Sequence, residues 1–326
     1  MITQRIDAIT AIGDSWRQEA PPAPRSVKIE LTGRCNFSCK FCALRTREKQ
    51  PTEDMDIELF KRITGEMREA GVEEIGLFYL GESFTNPGLL IEACKYAKSI
   101  GFPYVFLTSN ASLAKPEIVE ALMKAGLDSL KWSVNAADIE QFKTIMAVKT
   151  KLFLNALANI KAAWKVRELG GYKTGLYASS IRYDGEQQKK MEELLEKHII
   201  PYVDEHYFLP LYTMAMRAHE IKAKLGYTPT HGNSGRYDPK TGLPNRDPLP
   251  CWSVFMEGHV RCDGHLSACC FGADDKFDVG DLTKESFMQG WNSQAMKDIR
   301  AAQIRTTTEG PKALRGTICE VCMAYQ

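Results

Sequence analysis

The sequence predicts an α/β fold, a partial (β/α)6 barrel of the TIM type followed by a small cysteine-rich C-terminal domain. Segments with the periodicity of strands and of helices alternate about six times between residues 26 and 211. Such an alternation implies a parallel sheet with right-handed crossovers, and about eight units would be needed to close the barrel. Residues 226–250 then bring five prolines and four glycines, which mark a boundary before six of the ten cysteines.

Each element follows from a local pattern. Short alternating or apolar segments predict strands over 27–31, 74–80, 104–107, 129–134, 176–182 and 206–211. Apolar residues three or four positions apart predict helices over 56–71, 89–100, 115–125, 138–169 (in two pieces), 187–198 and 286–304. Gly71, Gly101 and Gly126 terminate the first three of these helices.

These elements divide the chain into four parts. We expect a lead-in segment over 1–25, the barrel over 26–225, a linker or capping loop over 226–250 and a C-terminal domain over 251–326. Ligands of parallel α/β folds bind beyond the carboxyl ends of the strands. The loops that follow the strands should therefore carry the chemistry.

The overall composition argues against several classes of function. The 326 residues carry a formal net charge of +1, without the large basic excess that favours non-specific nucleic-acid binding. No apolar run approaches the ~20 residues of a membrane-spanning helix, and the N-terminus lacks the pattern of a secretory signal. We expect a cytoplasmic protein with neither nucleic-acid nor membrane partners. Clustered cysteines in that compartment indicate metal ligands or catalytic thiols rather than disulfides.

Three cysteines follow the first predicted strand with the spacing C-x3-C-x2-C. Thiolates at Cys35, Cys39 and Cys42 can hold three irons of a 4Fe–4S cluster. Because a cubane normally takes a fourth cysteine, one iron would stay open for a substrate or cofactor. A zinc loop is the other interpretation, but tetrahedral structural zinc prefers C-x2-C pairs with a fourth ligand close by.

With an aromatic residue at Phe41, this loop resembles the signature of the radical S-adenosylmethionine (SAM) superfamily, and the resemblance covers about residues 26–215. It implies that the open iron binds SAM and that SAM is cleaved to a 5′-deoxyadenosyl radical, which abstracts a substrate hydrogen. It also implies that Phe41 lies near the adenine and that Glu82 accepts the SAM ammonium. The other cofactor contacts that it implies are Gly81, Ser109, Asn110, Ser133 and Asn135, and Ser179 at the end of the fifth strand could contact the ribose of the cofactor or the substrate.

The C-terminal cysteines resemble those of the SPASM/twitch branch of this superfamily. The twitch version binds one auxiliary 4Fe–4S cluster, and the ligands that match by position are Cys251, Cys269, Cys319 and Cys322. A structural zinc site with the same four ligands is the alternative. Cys270 could replace its neighbour Cys269 as a ligand. Cys262 or Cys270 could also donate a hydrogen atom to a substrate radical.

These resemblances imply a radical SAM enzyme with two 4Fe–4S clusters and SAM as cofactors, and with reduced flavodoxin or ferredoxin as electron donor. We expect dehydrogenation of a polar, carbohydrate- or aminocyclitol-like small molecule, with the auxiliary cluster as electron acceptor and with Arg182 and Arg246 as substrate contacts. The alternatives are a radical epimerase of a sugar-like substrate, a peptide-modifying maturase and a non-enzymatic scaffold stabilised by iron–sulfur or zinc. Many peptide-modifying relatives carry an added N-terminal domain that recognises the peptide. Because only about 25 residues precede the first strand here, we expect a small molecule rather than a peptide as substrate.

Overall fold

The computed structural model describes residues 1–46, 51–210, 235–272 and 275–320, and its centre is one nine-stranded sheet. The order of the strands across the sheet is β6-β5-β4-β3-β2-β1-β7-β8-β9. The strands are β1 Ser26–Ile29, β2 Glu74–Gly76, β3 Tyr104–Ser109, β4 Ser129–Ser133, β5 Gly175–Ile181, β6 Glu205–Leu209, β7 Glu257–Val260, β8 His265–Ser267 and β9 Asp278–Asp281.

The first six strands lie side by side in chain order, and each neighbouring pair is parallel. The helices are α1 Ile2–Thr10, α2 Ile57–Glu69, α3 Pro87–Ser99, α4 Pro116–Lys124, α5 Ile139–Met146, α6 Lys151–Gly170, α7 Gly185–His198, α8 Ser253–Met256, α9 Phe287–Trp291 and α10 Gln294–Glu309. Over the described ranges, none is both long enough and apolar enough to cross a bilayer. Helices α2 to α7 connect the six parallel strands, which confirms the predicted partial (β/α)6 barrel.

The second strand is shorter than the sequence predicts. The prediction spans 74–80, but β2 ends at Gly76 and the chain then leaves the sheet. The Leu77 N–H still donates to the Phe106 carbonyl at 2.9 Å, and the Ser83 hydroxyl donates to the Leu77 carbonyl at 2.6 Å. This early end lets the residues that follow β2 reach the loop after β1.

A helix that the sequence analysis did not predict covers the N-terminal end of the barrel. Helix α1 lies inside the expected lead-in segment 1–25. The Thr3 N–H donates to the carboxylate of Glu205, the first residue of β6, at 3.4 Å. The Arg5 guanidinium lies 3.5 Å from the ring centroid of Tyr104, the first residue of β3. Because both partners begin their strands, α1 lies at the end of the barrel opposite the loops that follow the strands.

The C-terminal part of the chain continues the barrel sheet. Strand β7 pairs with β1 in parallel, and β8 and β9 extend the sheet with antiparallel pairs. The helix predicted over 286–304 is instead the two helices α9 and α10. They are separate because Ser293 leaves the helical conformation and its hydroxyl accepts the Met296 N–H at 3.3 Å as an N-cap.

One buried arginine connects the C-terminal helices to the N-terminal segment. The Arg300 side chain is fully buried, and its guanidinium donates to the carbonyls of Val254 at 2.8 Å and Glu19 at 3.1 Å. It also bonds the Asn292 side chain and lies 4.1 Å from the Trp291 ring centroid. Burial lowers the pKa of Arg300 to about 9. These contacts are what offset the cost of burying the charge.

We expect Arg300→Met to lower the free energy of unfolding by about 2–4 kcal/mol, because two buried carbonyls lose their donor. Arg305→Met is the matched control on the same helix, since Arg305 is exposed and its one ion pair among the described residues is with Glu309. It should change stability by less than about 0.5 kcal/mol. Chemical denaturation of both variants measures the difference, and equal stabilities would contradict the structural role of Arg300.

Candidate functional site

The cysteine loop between β1 and α2 is held against the end of helix α5. The Ser38 N–H donates to the Met146 carbonyl at 3.1 Å, and the Lys40 N–H donates to the Ile145 carbonyl at 2.9 Å. Cys35, Cys39 and Cys42 are all half-buried in this loop. The loop therefore has fixed backbone contacts, and its three thiols are neither sealed in the core nor fully exposed.

The turn after β2 packs directly on this loop at Gly81. The Gly81 N–H donates to the Glu30 carboxylate at 3.1 Å, and the Glu82 N–H donates to the Arg34 carbonyl at 2.8 Å. A Cβ atom at position 81 would lie 1.9 Å from the Thr32 carbonyl oxygen. Only glycine permits this backbone approach, which sets the position of the loop that begins at Cys35.

The buried carboxylate of Glu82 then binds the turn after β3. It accepts the Ser109 hydroxyl at 2.9 Å, the Asn110 N–H at 2.8 Å and the Phe84 N–H at 3.3 Å. Burial raises the pKa of Glu82, and these three hydrogen bonds act in the opposite direction. An ionised carboxylate has about four acceptor positions, so a further donor such as an ammonium can still be accommodated.

Asn36 completes this network, and it is not among the site residues predicted from the sequence. The Asn110 amide donates to the Asn36 side-chain oxygen at 2.9 Å, and the Asn36 amide donates to the Ser112 hydroxyl at 2.8 Å. Ala111 between them has a φ of 65°, a left-handed conformation that is uncommon for a residue other than glycine. The signal that could have identified Asn36 in the sequence is its position as a polar residue directly after the candidate ligand Cys35.

A cavity of about 120 Å³, here called the loop cavity, lies between the cysteine loop and the ends of β3 and β4. Its polar wall consists of Cys39, Cys42, Asn110, Ser133 and Asn135, and its apolar wall includes Phe41 and residues of α5 and α6. The structure thus brings together side chains from three separate loops that the sequence analysis selected. Gly81, Glu82 and Ser109 support this wall through the contacts to Asn110 and the cysteine loop.

Ser179 has a different position from the other predicted cofactor contacts. It faces Tyr207 across the β5–β6 pair inside the barrel. Burial raises the pKa of Tyr207, and the nearby Ser179 hydroxyl lowers it. The Ser179 side chain is thereby engaged within the barrel.

Two of the C-terminal cysteines lie beside the buried side chain of Gln303, and a third, Cys269, lies near one of them. The Gln303 oxygen accepts the Cys251 N–H at 2.8 Å, and the Gln303 side chain lies close enough to the Cys319 thiol to lower its pKa. Burial raises the pKa of Cys319 to about 11, and the nearby Cys269 raises it further. Cys322, the fourth predicted ligand, lies outside the described residues.

The predicted C-terminal ligands can be compared with those of a single zinc ion and those of a 4Fe–4S cluster. Across the described part of the chain, no three His, Cys, Asp or Glu side chains converge as ligands of a single metal ion would. Each cysteine of a cubane binds a different iron, so its thiolates lie farther apart than ligands of one ion. A donor set made of thiols alone is one that 4Fe–4S clusters share with structural zinc sites.

A larger cavity of about 340 Å³, the barrel cavity, occupies the interior of the strands. Helix α1 borders it at one end, and Cys42, Leu80 and Thr108 border it near the loops that follow the strands. Cys270 and Phe271, next to the predicted ligand Cys269, also line it. Both cysteine-bearing regions of the chain therefore reach the same cavity.

The remaining predicted residues make contacts within the fold. Cys262 is buried, and its N–H donates to the Glu30 carboxylate at 3.3 Å. Arg182 is exposed and donates to the Gly242 carbonyl at 3.2 Å. The Arg246 guanidinium donates to the Asp7 carbonyl, beside helix α1. Both guanidinium groups therefore bond backbone carbonyls of other segments of the chain.

Comparison with known proteins identifies the family. A sequence model of the radical SAM superfamily matches residues 29–172, and a model of the SPASM iron–sulfur cluster-binding domain matches residues 251–323. The chain belongs to the radical SAM superfamily. These two domains imply 4Fe–4S clusters and SAM as cofactors of this radical SAM enzyme.

Curated relatives differ in their reactions. The AdoMet-dependent heme synthase of Methanosarcina barkeri is 32% identical over 36% of this radical SAM chain, and the match spans 33% of the synthase. The probable GTP 3′,8-cyclase of Saccharolobus solfataricus is 26% identical over 81% of this chain and 88% of the cyclase. The chain thus spans a third of the synthase but most of the cyclase.

Solved structures share the radical SAM fold at low identity. SuiB of Streptococcus suis, bound to the precursor peptide SuiA, superposes with a TM-score of 0.62 at 15% identity, over 85% of this chain and 66% of SuiB. BtrN, in complex with AdoMet and 2-DOIA, superposes with a TM-score of 0.53 at 12% identity, over 86% of each chain. At these identities the likeness concerns the fold.

We expect Gly81→Ala to displace the cysteine loop, because the added Cβ would lie 1.9 Å from the Thr32 carbonyl oxygen. The iron content of the anaerobically reconstituted protein should fall by about four irons, which is one cubane. Gly65→Ala is the control, because a Cβ there meets no atom within 4 Å and alanine favours helix α2 by about 1 kcal/mol. Unchanged iron in Gly81→Ala would show that the loop does not depend on this contact.

Proposed function

We propose that this radical SAM enzyme dehydrogenates a small polar molecule, of a carbohydrate-like class, in the barrel cavity. Cys35, Cys39 and Cys42 would hold the first cluster. SAM would be contacted by residues that line the loop cavity and by residues that support its wall: Phe41, Asn110, Ser133 and Asn135 in the first group, and Gly81, Glu82 and Ser109 in the second. Cys251, Cys269, Cys319 and Cys322 would hold one auxiliary cluster, and reduced flavodoxin or ferredoxin would supply electrons.

The observation that carries this proposal is the lining of the barrel cavity. Cys42 borders it on one side, and Cys270 and Phe271 border it on another. A molecule bound there would lie beside both candidate cluster regions. The volume of about 340 Å³ is at the lower end of the range for small-molecule sites, which favours a compact substrate over a peptide.

The cofactors and the protein have separate tasks in this reaction. When bound, SAM and the first cluster supply a hydrogen-abstracting radical and the auxiliary cluster supplies an electron acceptor, so that the substrate loses a hydrogen atom, an electron and a proton. The chain would hold the substrate next to Cys42, and Leu80, Phe78 and Phe271 would give it an apolar wall.

Cys270 favours radical epimerisation as a second candidate. Cys270 lines the barrel cavity, whereas Cys262 is buried and its N–H donates to the Glu30 carboxylate. A cysteine beside the substrate could return a hydrogen atom to the carbon radical, and the thiyl radical left on the cysteine would take one electron from the reduced flavodoxin or ferredoxin and one proton from solvent. The substrate would then change configuration without net oxidation.

We expect Cys35→Ala, Cys39→Ala and Cys42→Ala each to abolish reductive cleavage of SAM to 5′-deoxyadenosine. Cys319→Ala should keep part of that cleavage and lose product formation, because it affects only the auxiliary site. The control is Cys94→Ala, since Cys94 is buried in helix α3 away from both clusters of cysteines. Cleavage that persists in any of the first three variants would contradict the assignment of the first cluster.

Dehydrogenation and epimerisation are separated by turnover in D₂O. An oxidised product without carbon-bound solvent deuterium, in wild type and in Cys270→Ser alike, is expected for the dehydrogenase. Deuterium on carbon that is lost in Cys270→Ser would instead establish the epimerase. Mass spectrometry of the product, with wild type in H₂O as the reference, measures both.

A further inference from the structure

The charged residues that line the barrel cavity are not balanced. Three of them are cations and two are anions: Arg5, Lys28, Lys131, Glu74 and Glu257. Arg5 contacts Glu74, and the Lys28 ammonium lies 2.9 Å from the Glu257 carboxylate, which His259 also contacts at 2.9 Å. Within the part of the chain that the structure describes, no carboxylate forms an ion pair with Lys131.

Lys131 lies at a position where a substrate would meet it. It is the middle residue of β4, two positions before Ser133, which lines the loop cavity. Residues two apart on a strand share a face and lie about 6.6 Å apart along it, so Lys131 sits one step deeper in the barrel than Ser133. Its ammonium lies 5.8 Å from the ring centroid of Tyr207.

We propose that Lys131 binds an anionic group of the substrate, a carboxylate or a phosphate, inside the barrel cavity. The inference rests on the proposed function, because it takes this cavity to hold the substrate of the radical reaction. It narrows the substrate class to acidic or phosphorylated small molecules, such as a sugar acid or a sugar phosphate. An amino sugar or aminocyclitol would add a second unpaired cation to the same space.

The energetics support an anion at this position. Lys131 is half-buried, so its ammonium keeps only part of its hydration, and a carboxylate or phosphate would supply the opposite charge through charge-assisted hydrogen bonds. Burial lowers the pKa of Lys131 to about 8, and the nearby Lys28 also lowers it, whereas Glu257 raises it. Lys28 cannot serve in its place without breaking its pair with Glu257.

Binding of simple probes to the full-length, SAM-loaded enzyme tests the proposal. Calorimetry compares gluconate, glucose 6-phosphate and neutral glucitol on wild type, Lys131→Met and Lys161→Met. Lys161 is the matched control, because its ammonium also lies over a tyrosine ring, Tyr202, but on the outside of the protein. We expect at least one acidic probe to bind wild type and Lys161→Met about tenfold or more tighter than glucitol, and Lys131→Met to lose this preference.

Each outcome decides between the proposals. Tighter binding of gluconate indicates a carboxylate, and tighter binding of glucose 6-phosphate indicates a phosphate. Equal affinity for glucitol and both acids in wild type overturns the inference even if Lys131→Met does not fold, and so does an unchanged preference in Lys131→Met. SAM cleavage without substrate is measured in parallel. If wild type cleaves SAM but shows no anion preference, only this inference fails, whereas absent SAM cleavage rejects the proposed function.

Discussion

The candidate site depends on one buried carboxylate and one glycine that are adjacent in the chain. Gly81 lets the turn after β2 approach the backbone before Cys35, and the Glu82 carboxylate accepts two hydrogen bonds from the turn after β3. A buried carboxylate must keep its hydrogen-bond donors, because an unsatisfied charge in the interior costs several kcal/mol. The cysteine loop and the β3 turn therefore cannot shift independently, and the loop cavity takes its shape from both.

The barrel interior depends equally on the C-terminal part of the chain. Strand β7 pairs with β1 in a register that places Glu257 opposite Ser26 and His259 opposite Lys28. Glu257 holds Lys28 by an ion pair, and its pKa falls to about 2 because Lys28 and His259 outweigh the effect of burial. The SPASM domain thus contributes part of the charge pattern of the barrel cavity, together with its Cys270 wall.

The sequence was informative where a single spacing or period determines the outcome. The alternation of strands and helices gave the parallel order of β1 to β6, and the polar residues after β3 and β4 lie together because parallel strands end at one edge. Helix α1 was missed because it is short and lies in a segment, residues 1–25, that is polar overall. Arg300 was missed because its carbonyl partners come from distant segments, which no local pattern encodes.

Lys131 is a further residue whose position the local sequence pattern does not reveal. Leu130 and Trp132 on either side are fully buried, so the alternation in Ser-Leu-Lys-Trp-Ser suggests that the lysine faces solvent. In a barrel, however, the apolar residues of a strand pack against the surrounding helices, and the alternate residues face the interior. A closed eight-stranded barrel fills that interior with layers of apolar side chains. The interior of this barrel instead holds the Lys131 ammonium, two ion pairs that involve Glu74 and Glu257, and several tyrosine phenols around an open cavity. An interior selected for stability alone would be apolar, so the polar interior is best explained by what it binds.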